Sequence, residues 1–403
     1  MPTRLELVDS LLLGGSMQLL LLQSAETRYA APVIAAVDEL RRAEPGTGAA
    51  AALVDMLVAQ DPSAASAFSL LSFDRARVVV GERAMLVDQT HESVVVGEAA
   101  VVKWMVRAEA SPAPTLIAHL STLGFSDMPQ PWGFVSWSGE VPVVMATVTD
   151  FLPGAVDGWT WCVDDVGSFS KGQGTLESAI EPAAVIGDLI GRMHVALATP
   201  SRFLTDTPSN ADAIDVAGWR AVAHSTLEQA VDSVIGDEGE RLRLRVERIA
   251  SAIDGSTDVR ATPTIPVHGD LHVGQVLRWD DGYAVNDFDG NPVLSAQERL
   301  SPQPAARDVA GMLQSLDHVG RVVVRRVEGA DPRRVSDWIA SAQQAFMSAY
   351  QRCLVRHNQL ALLDERLLLP FRVEQECREF VYAEKHLPRW RYVPDAALQT
   401  LFP

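Results

Sequence analysis

The sequence predicts an α+β chain in which a small mixed cap precedes a strand-rich lobe and then a helix-rich lobe. Short β-branched runs dominate residues 85–150, and long segments with helical spacing fill 151–403. Between them stands Phe151-Leu152-Pro153-Gly154, where the character of the chain changes.

Residues 1–84 mix strand-like runs at 17–22, 30–35 and 77–80 with an Ala-rich helical stretch at 49–59, broken by Pro45-Gly46-Thr47-Gly48. They carry no convergent polar set and read as a packing or capping module. From 85 to 150, runs at 93–96, 99–106 and 141–148 predict an antiparallel sheet, with a helix at 115–123. Beyond 151, helices are expected at 182–198, 213–235, 238–252, 305–319, 333–356 and 362–386. Ile186, Leu189, Ile190 and Met193 share one helical face, which is therefore expected in the core. One hairpin interrupts the helical half, with runs at 276–279 and 283–285 around Asp280-Asp281-Gly282.

A chain of 403 residues that is 47% hydrophobic can bury a sizeable core in two or three subdomains. Its 34 basic and 52 acidic residues give a net charge of −18, which repels nucleic acid and anionic membranes and excludes both as main partners. In so acidic a chain, binding a nucleotide requires local cations, and Lys103 is the first candidate. Cys162, Cys353 and Cys377 form no Cys-x-x-Cys pair, so neither a disulfide framework nor a zinc ribbon is expected. A reducing cytoplasm fits the cysteine spacing best, and a monomer is expected. No secretory leader is expected, and no segment approaches the roughly 20 apolar residues of a membrane helix.

The chemistry concentrates in His268-Gly269-Asp270-Leu271-His272 with Gln275, followed across the hairpin by Asn286-Asp287-Phe288-Asp289-Gly290. Phosphoryl transfer needs a base at the acceptor hydroxyl, hard oxygen ligands for Mg2+, a cation on the phosphates and a cleft for adenine. Asp270 fits the base. Gln275 and Asp287 fit the metal ligands, and Asp289 adds a ligand or shapes the loop. His268 and His272 are four apart like zinc ligands, but no Glu lies between them and glycines break the helix, so His268 is read as an organiser of the loop. Asp308, at a helix start, is read as a dipole or capping carboxylate or a support for this loop.

These two motifs resemble those of the aminoglycoside phosphotransferase and eukaryotic-like kinase superfamily, most closely its maltokinase-like branch and, within it, the glucosamine kinases. Supporting stretches are Val102-Lys103, Asp157-Gly158-Trp159, residues 191–198 and 307–313, and Phe380-Val381-Tyr382, so the resemblance spans about 85–395. It implies a bilobal protein-kinase-like fold with an N-terminal cap, divided at 1–84, 85–150 and 151–403, and an ATP site between the lobes. It further implies ATP and Mg2+ as cofactors and phosphorylation of an amino sugar, D-glucosamine, at its 6-hydroxyl. Lys103 then matches the strand lysine that pairs with nucleotide phosphates. Ala146, Thr147, Val148, Thr149 and Asp150 match the hinge whose backbone bonds adenine, and residues 88–93 stand where a loop covers the phosphates. Departures are visible: Thr115 stands where a helical Glu commonly pairs the lysine, leaving Glu109 or another acid for that role; Gln275 stands where most kinases have Asn and Asp289 where maltokinases usually have Glu; the N-terminal region lacks the aromatic and lysine signature of maltokinases; and the covering loop lacks glycine.

An ammonium-bearing sugar calls for carboxylates in its pocket. The resemblance places the C-terminal helix at the acceptor, where Glu374, Arg378 and Glu379 are the candidates; the alternative is a solvated i,i+4 pair of Glu374 and Arg378. Trp390 is placed either to stack on the sugar or to pack in the core. Rival functions are maltose 1-phosphorylation, aminoglycoside phosphorylation and a nucleotide-binding pseudokinase.

Overall fold

A computed structural model of the chain describes all residues except 1–4, 26, 37–38, 60–66, 77–80, 86–91, 140–141 and 260. The expected strand at 77–80 and most of the expected phosphate-covering loop at 88–93 lie outside the described residues. The chain divides into two compact units, Met1–Ala155 with Pro292–Leu300, and Val156–Asn291 with Ser301–Pro403. The α+β class expected from the sequence is observed.

In the first unit, β1 (Glu6–Gly14), β2 (Met17–Ser24), β3 (Thr27–Ala36) and β4 (Glu39–Arg42) form an antiparallel meander in sequence order. Helix α1 (Ala49–Ala59) follows the expected break. The Gly46, Gly48 and Ala51 amides donate to the Glu82 carboxylate at 2.9, 2.9 and 2.7 Å, so an anion closes the positive end of that helix. Then come β5 (Phe68–Ser72), β6 (Glu82–Ala84), β7 (Glu92–Val96), β8 (Ala100–Trp104), α2 (Ala113–Thr122), β9 (Pro131–Trp137) and β10 (Val143–Asp150), with sheet order β5-β9-β10-β8-β7-β6. Both edge strands, β5 and β6, precede the boundary at 84, because β9 and β7 each have a row of backbone groups that only these strands satisfy. Leu19, Leu21, Leu53, Val102, Met145 and Val148 lie in one core, so the expected cap and nucleotide lobe share their interior.

The second unit is mainly helical: α3 (Gly158–Ser170), α4 (Leu176–Leu197), a short strand β11 (Ser209–Ala211), α5 (Ala213–Ser233), α6 (Gly236–Arg243) and α7 (Val246–Asp254). There follow β12 (Thr262–Thr264), which pairs with β11, and the hairpin β13 (Val276–Trp279) and β14 (Gly282–Val285). After α8 (Ala296–Leu300), which belongs to the first unit, the chain returns for α9 (Ala306–Arg326), α10 (Pro332–Arg356), α11 (Leu368–His386) and α12 (Tyr392–Leu401). Ile186, Leu189, Ile190 and Met193 are buried as the spacing requires.

Several helix boundaries differ from expectation; α9 runs on to Arg326 beyond the expected 319, and three further differences have a local cause. Helix α4 begins at Leu176, ahead of Pro182, because Thr175 and Ser178 form a capping box. The stretch expected as one helix at 238–252 is two, interrupted where Arg245 turns its guanidinium to the carbonyls of Arg241 and Phe402. Helix α11 starts at Leu368 rather than 362, since Asp364 accepts from the Arg366 amide and holds a 3-10 turn before it. Among the described residues, no helix is long and apolar enough to cross a membrane.

Candidate functional site

The loop carrying Asp270 runs from β12 into the hairpin, and its shape is set from below by one carboxylate. Asp308, buried in the first turn of α9, accepts from the His268 amide at 2.8 Å and the Gly269 amide at 2.9 Å. His194 approaches the same carboxylate at 3.1 Å through Nε2, and its Nδ1 meets the Tyr350 hydroxyl at 2.7 Å. Burial by itself would raise Asp308, but the His194 hydrogen bond, the nearby imidazoles and the Gly269 amide outweigh it and hold the carboxyl below its ordinary range. Asp308 thus supports the loop, one of the two roles its position suggested.

The His268 ring is buried and oriented by its two ends. Nε2 donates to the Asn286 carbonyl at 2.9 Å, which leaves Nδ1 as an acceptor facing the Asp270 amide at 3.4 Å. It therefore organises the loop, and its nitrogens are committed to backbone. Gly269 has φ +81°, a conformation that favours glycine, and lets the chain turn between the Asp308 bonds and Asp270. Contact from neighbouring helices is close: a Cβ on Gly158 would lie 1.6 Å from the Val273 carbonyl oxygen, and one on Gly311 2.6 Å from that of Leu271. His272 accepts from the Gly274 amide at 3.0 Å through Nδ1, and burial drives its pKa down to about 4, so the ring is neutral near pH 7.

Asp270 is partly buried and its carboxylate accepts from the Asn291 side-chain amide at 3.1 Å. Burial pushes its pKa from 3.8 up to about 6; Asp287 and Asp308 add to the rise, while His268 and Arg378 oppose it. The sequence assigns Asn291 no role, and its position just after Asp289-Gly290 is the signal that points to it.

Gln275 and Asp287 are brought together by the hairpin. The Asn286 amide donates to the Gln275 carbonyl at 2.9 Å, next to the Val276 and Val285 pair, so the two candidates flank the open end of one ladder. Asp287 adopts φ 64°, a left-handed conformation that Asp tolerates better than most residues and that costs of order 1 kcal/mol. Asp289 is partly buried two residues on. Both candidate ligands present hard oxygen atoms, as Mg2+ requires. Among the described residues no cluster of three or more His, Cys, Asp or Glu has a metal-holding arrangement, and a Mg2+ site built on two side chains needs none.

In the first unit, Lys103 lies on β8 opposite Thr147 of β10. Thr115 is in the first turn of α2, and Glu109 pairs with Arg299 at 3.1 Å. Of the expected hinge, Ala146, Thr147, Val148 and Thr149 lie on a central strand paired with β8 on one side and β9 on the other, and Asp150 pairs with β8 while its amide donates to the Gln130 carbonyl at 2.8 Å. The Asp150 carboxylate accepts from Trp132 Nε1 at 2.8 Å and lies 3.6 Å from Arg75.

On α11 the side chains of Glu374, Glu376 and Glu379 have different partners. Glu374 is buried and held by Arg307 at 3.2 Å and by Arg378, the i,i+4 pair expected from sequence. Glu376 is buried against His318 at 2.8 Å. Glu379 is partly buried and accepts from Gln375 Nε2 and Trp390 Nε1, each at 3.2 Å. Trp390 itself sits edge-on to Trp159, with ring centroids 6.0 Å apart, and Trp159 faces His272 at 6.3 Å. Asp270, Gln275, Asp287, Arg378, Glu379 and Trp390 all belong to the second unit, whereas Lys103 and residues 147–150 belong to the first.

No family model matches the chain. It is 48% identical to a glucosamine kinase of Streptacidiphilus jiangxiensis, with 100% of this chain and 92% of that protein covered. With a glucosamine kinase of Mycolicibacterium smegmatis it shares 40% identity over 98% of each. Among solved structures it matches a crystal form of a glucosamine kinase with a TM-score of 0.91 at 46% identity, covering 100% of this chain and 95% of that one. A glucosamine kinase in complex with glucosamine, ADP and inorganic phosphate matches with a TM-score of 0.88 at 46% identity, covering 100% and 94%.

Proposed function

This chain belongs to the glucosamine kinase family, and on that premise we propose that it transfers the γ-phosphoryl group of ATP to the 6-hydroxyl of D-glucosamine. The Asp270 carboxylate carries this reading. It stands on a loop anchored by Asp308, fixed by Asn291, with a pKa of about 6 that leaves it ionised at neutral pH while bringing it closer to its proton-accepting task. Asp270 orients the sugar hydroxyl and takes its proton as the phosphoryl group arrives. Gln275 and Asp287 would hold Mg2+, which when bound neutralises charge on the phosphate oxygens. Lys103 pairs with the non-transferred phosphates. Since the β10 backbone is committed, the adenine-facing groups come from residues 152–154, just beyond the strand.

Charge pairing around α11 supports an amino sugar with Glu379 as its partner. Glu374 pairs with two arginines and Glu376 with His318, whereas among the described residues Glu379 accepts from an amide and an indole, both uncharged. A desolvated ammonium is best placed against a carboxylate whose charge is not already matched, so Glu379 receives the amine. Arg378, held by Glu374 and electrostatically felt by Asp270, faces the hydroxyl end of the acceptor, and Trp390 offers an apolar wall. The solved relative bound to glucosamine, ADP and inorganic phosphate supports the same substrate pair. An ADP-release assay across glucosamine, maltose, glucose and aminoglycosides tests the reading, with the product's phosphate position read by NMR. Absence of turnover with glucosamine, or phosphate on a hydroxyl other than the sixth, would overturn it.

A further inference from the structure

Behind Glu379 lies a buried ion pair that the proposed chemistry leaves idle. His318 of α9 and Glu376 of α11 are 2.8 Å apart and both buried; Gln314 donates to the same Glu376 oxygen, and Arg372 reaches Gln314. Burial by itself would lower the imidazole, but Glu376, with Glu379 and Asp317, outweighs that and raises His318 to about 9; burial likewise holds the Glu376 carboxyl above its ordinary range, with His318 and Gln314 opposing the rise. An apolar pair of similar volume would serve stability as well or better. What the pair touches on its other side is Trp390: the His318 and Trp390 rings meet edge to face, 6.4 Å apart at 89°.

Trp390 needs such support. It ends a single 3-10 turn, Pro388–Trp390, where its amide bonds only to the Leu387 carbonyl at 2.8 Å. Trp159 flanks the indole from the side of the catalytic loop, and Tyr392 adds a third ring at 6.2 Å. Held there, the indole N–H reaches Glu379 at 3.2 Å.

We infer that His318 and Glu376 are positioning residues for the acceptor site: their ion pair fixes the Trp390 ring, and the fixed indole N–H aims the Glu379 carboxylate at the ammonium of the sugar. This rests on Glu379 being the partner of the amine. Neither member of the pair touches the sugar, so the effect falls on discrimination between amino and neutral sugars and leaves nucleotide binding alone.

The test uses the full chain, titrated by calorimetry with glucosamine, glucose and ADP. The variants are Glu379→Gln, Trp390→Phe, the double variant His318→Gln with Glu376→Gln, and the triple variant that adds Trp390→Phe. Removing both buried charges together leaves no orphan charge. The expected result is an about tenfold weaker Kd for glucosamine in the double variant, with Kd for glucose and ADP unchanged. Trp390→Phe gives a similar loss, and the triple variant loses no more than either, because the effects share one route. Additive losses, or equal weakening of glucose and glucosamine, would overturn the inference. If the double variant does not fold, unchanged glucosamine affinity in Trp390→Phe overturns it instead. A loss confined to Glu379→Gln removes this inference alone, whereas no loss even there removes the assignment of the amine with it.

Discussion

The Asn291 side-chain amide donates to the Asp270 carboxylate at 3.1 Å, joining the residue just after Asp289-Gly290 to the proposed base. A donor on a carboxylate favours its charged form. Asn291→Ala should therefore raise the Asp270 pKa above about 6 and free the side chain to rotate. The acid limb of kcat/KM for glucosamine moves to higher pH by up to about one unit, and kcat falls about tenfold at pH 7. A pH–rate series from 5 to 7, where the sugar amine stays charged, reads both; an unmoved limb assigns it to another group.

Asp270→Asn should separate activity from stability. The carboxyl binds its proton more tightly in the folded chain, so its contribution to stability is present below about pH 3.8 and lost as pH rises through about 6. The amide keeps the Asn291 contact without the buried charge. Turnover drops by at least about a thousandfold, while the folded state gains about 1 to 3 kcal/mol at pH 8 and little at pH 4. Denaturant unfolding at the two pH values measures the difference.

Asp308→Ala removes the acceptor of two loop amides and the partner of His194. Orphaning these buried donors should cost about 3 kcal/mol or more and abolish turnover through loss of loop geometry. Denaturant midpoints, with ADP binding measured alongside, show whether the nucleotide site survives.

Glu374→Gln and Glu379→Gln should behave oppositely although they are five residues apart on one helix. The first leaves Arg307 and Arg378 short of a counter-charge and lowers the melting temperature by several degrees. The second leaves stability nearly intact and raises KM for glucosamine about tenfold. Steady-state kinetics and thermal melts on both variants distinguish them.

Chelation of divalent cations should abolish turnover, and Gln275→Ala should restore it only at Mg2+ concentrations raised about tenfold or more. Titration of Mg2+ at fixed ATP gives the shift; an unchanged Mg2+ requirement removes Gln275 from the ligand set.

What the sequence determined by itself was the local part of the chemistry. Asp270, Gln275 and Asp287 are legible because the proposed base and both candidate ligands sit on one loop and one hairpin, where a two-residue Asp280-Asp281 turn fixes the register. Helix periodicity likewise identified the buried face of Ile186, Leu189, Ile190 and Met193, since burial follows spacing within an element.

Tertiary structure alone decided the rest, because its causes lie far along the chain. Whether residues 146–150 have free backbone groups depends on their place in the sheet, which sets β9 and β8 on either side. The Asp308 anchor joins groups 39 and 40 residues apart. Glu374 and Glu379 are the same residue type on one helix, and Arg307, 67 residues from Glu374, joins the local Arg378 on the first while Glu379 meets an amide and an indole. Electrostatic role is a property of neighbours in space, and a sequence names only neighbours along the chain.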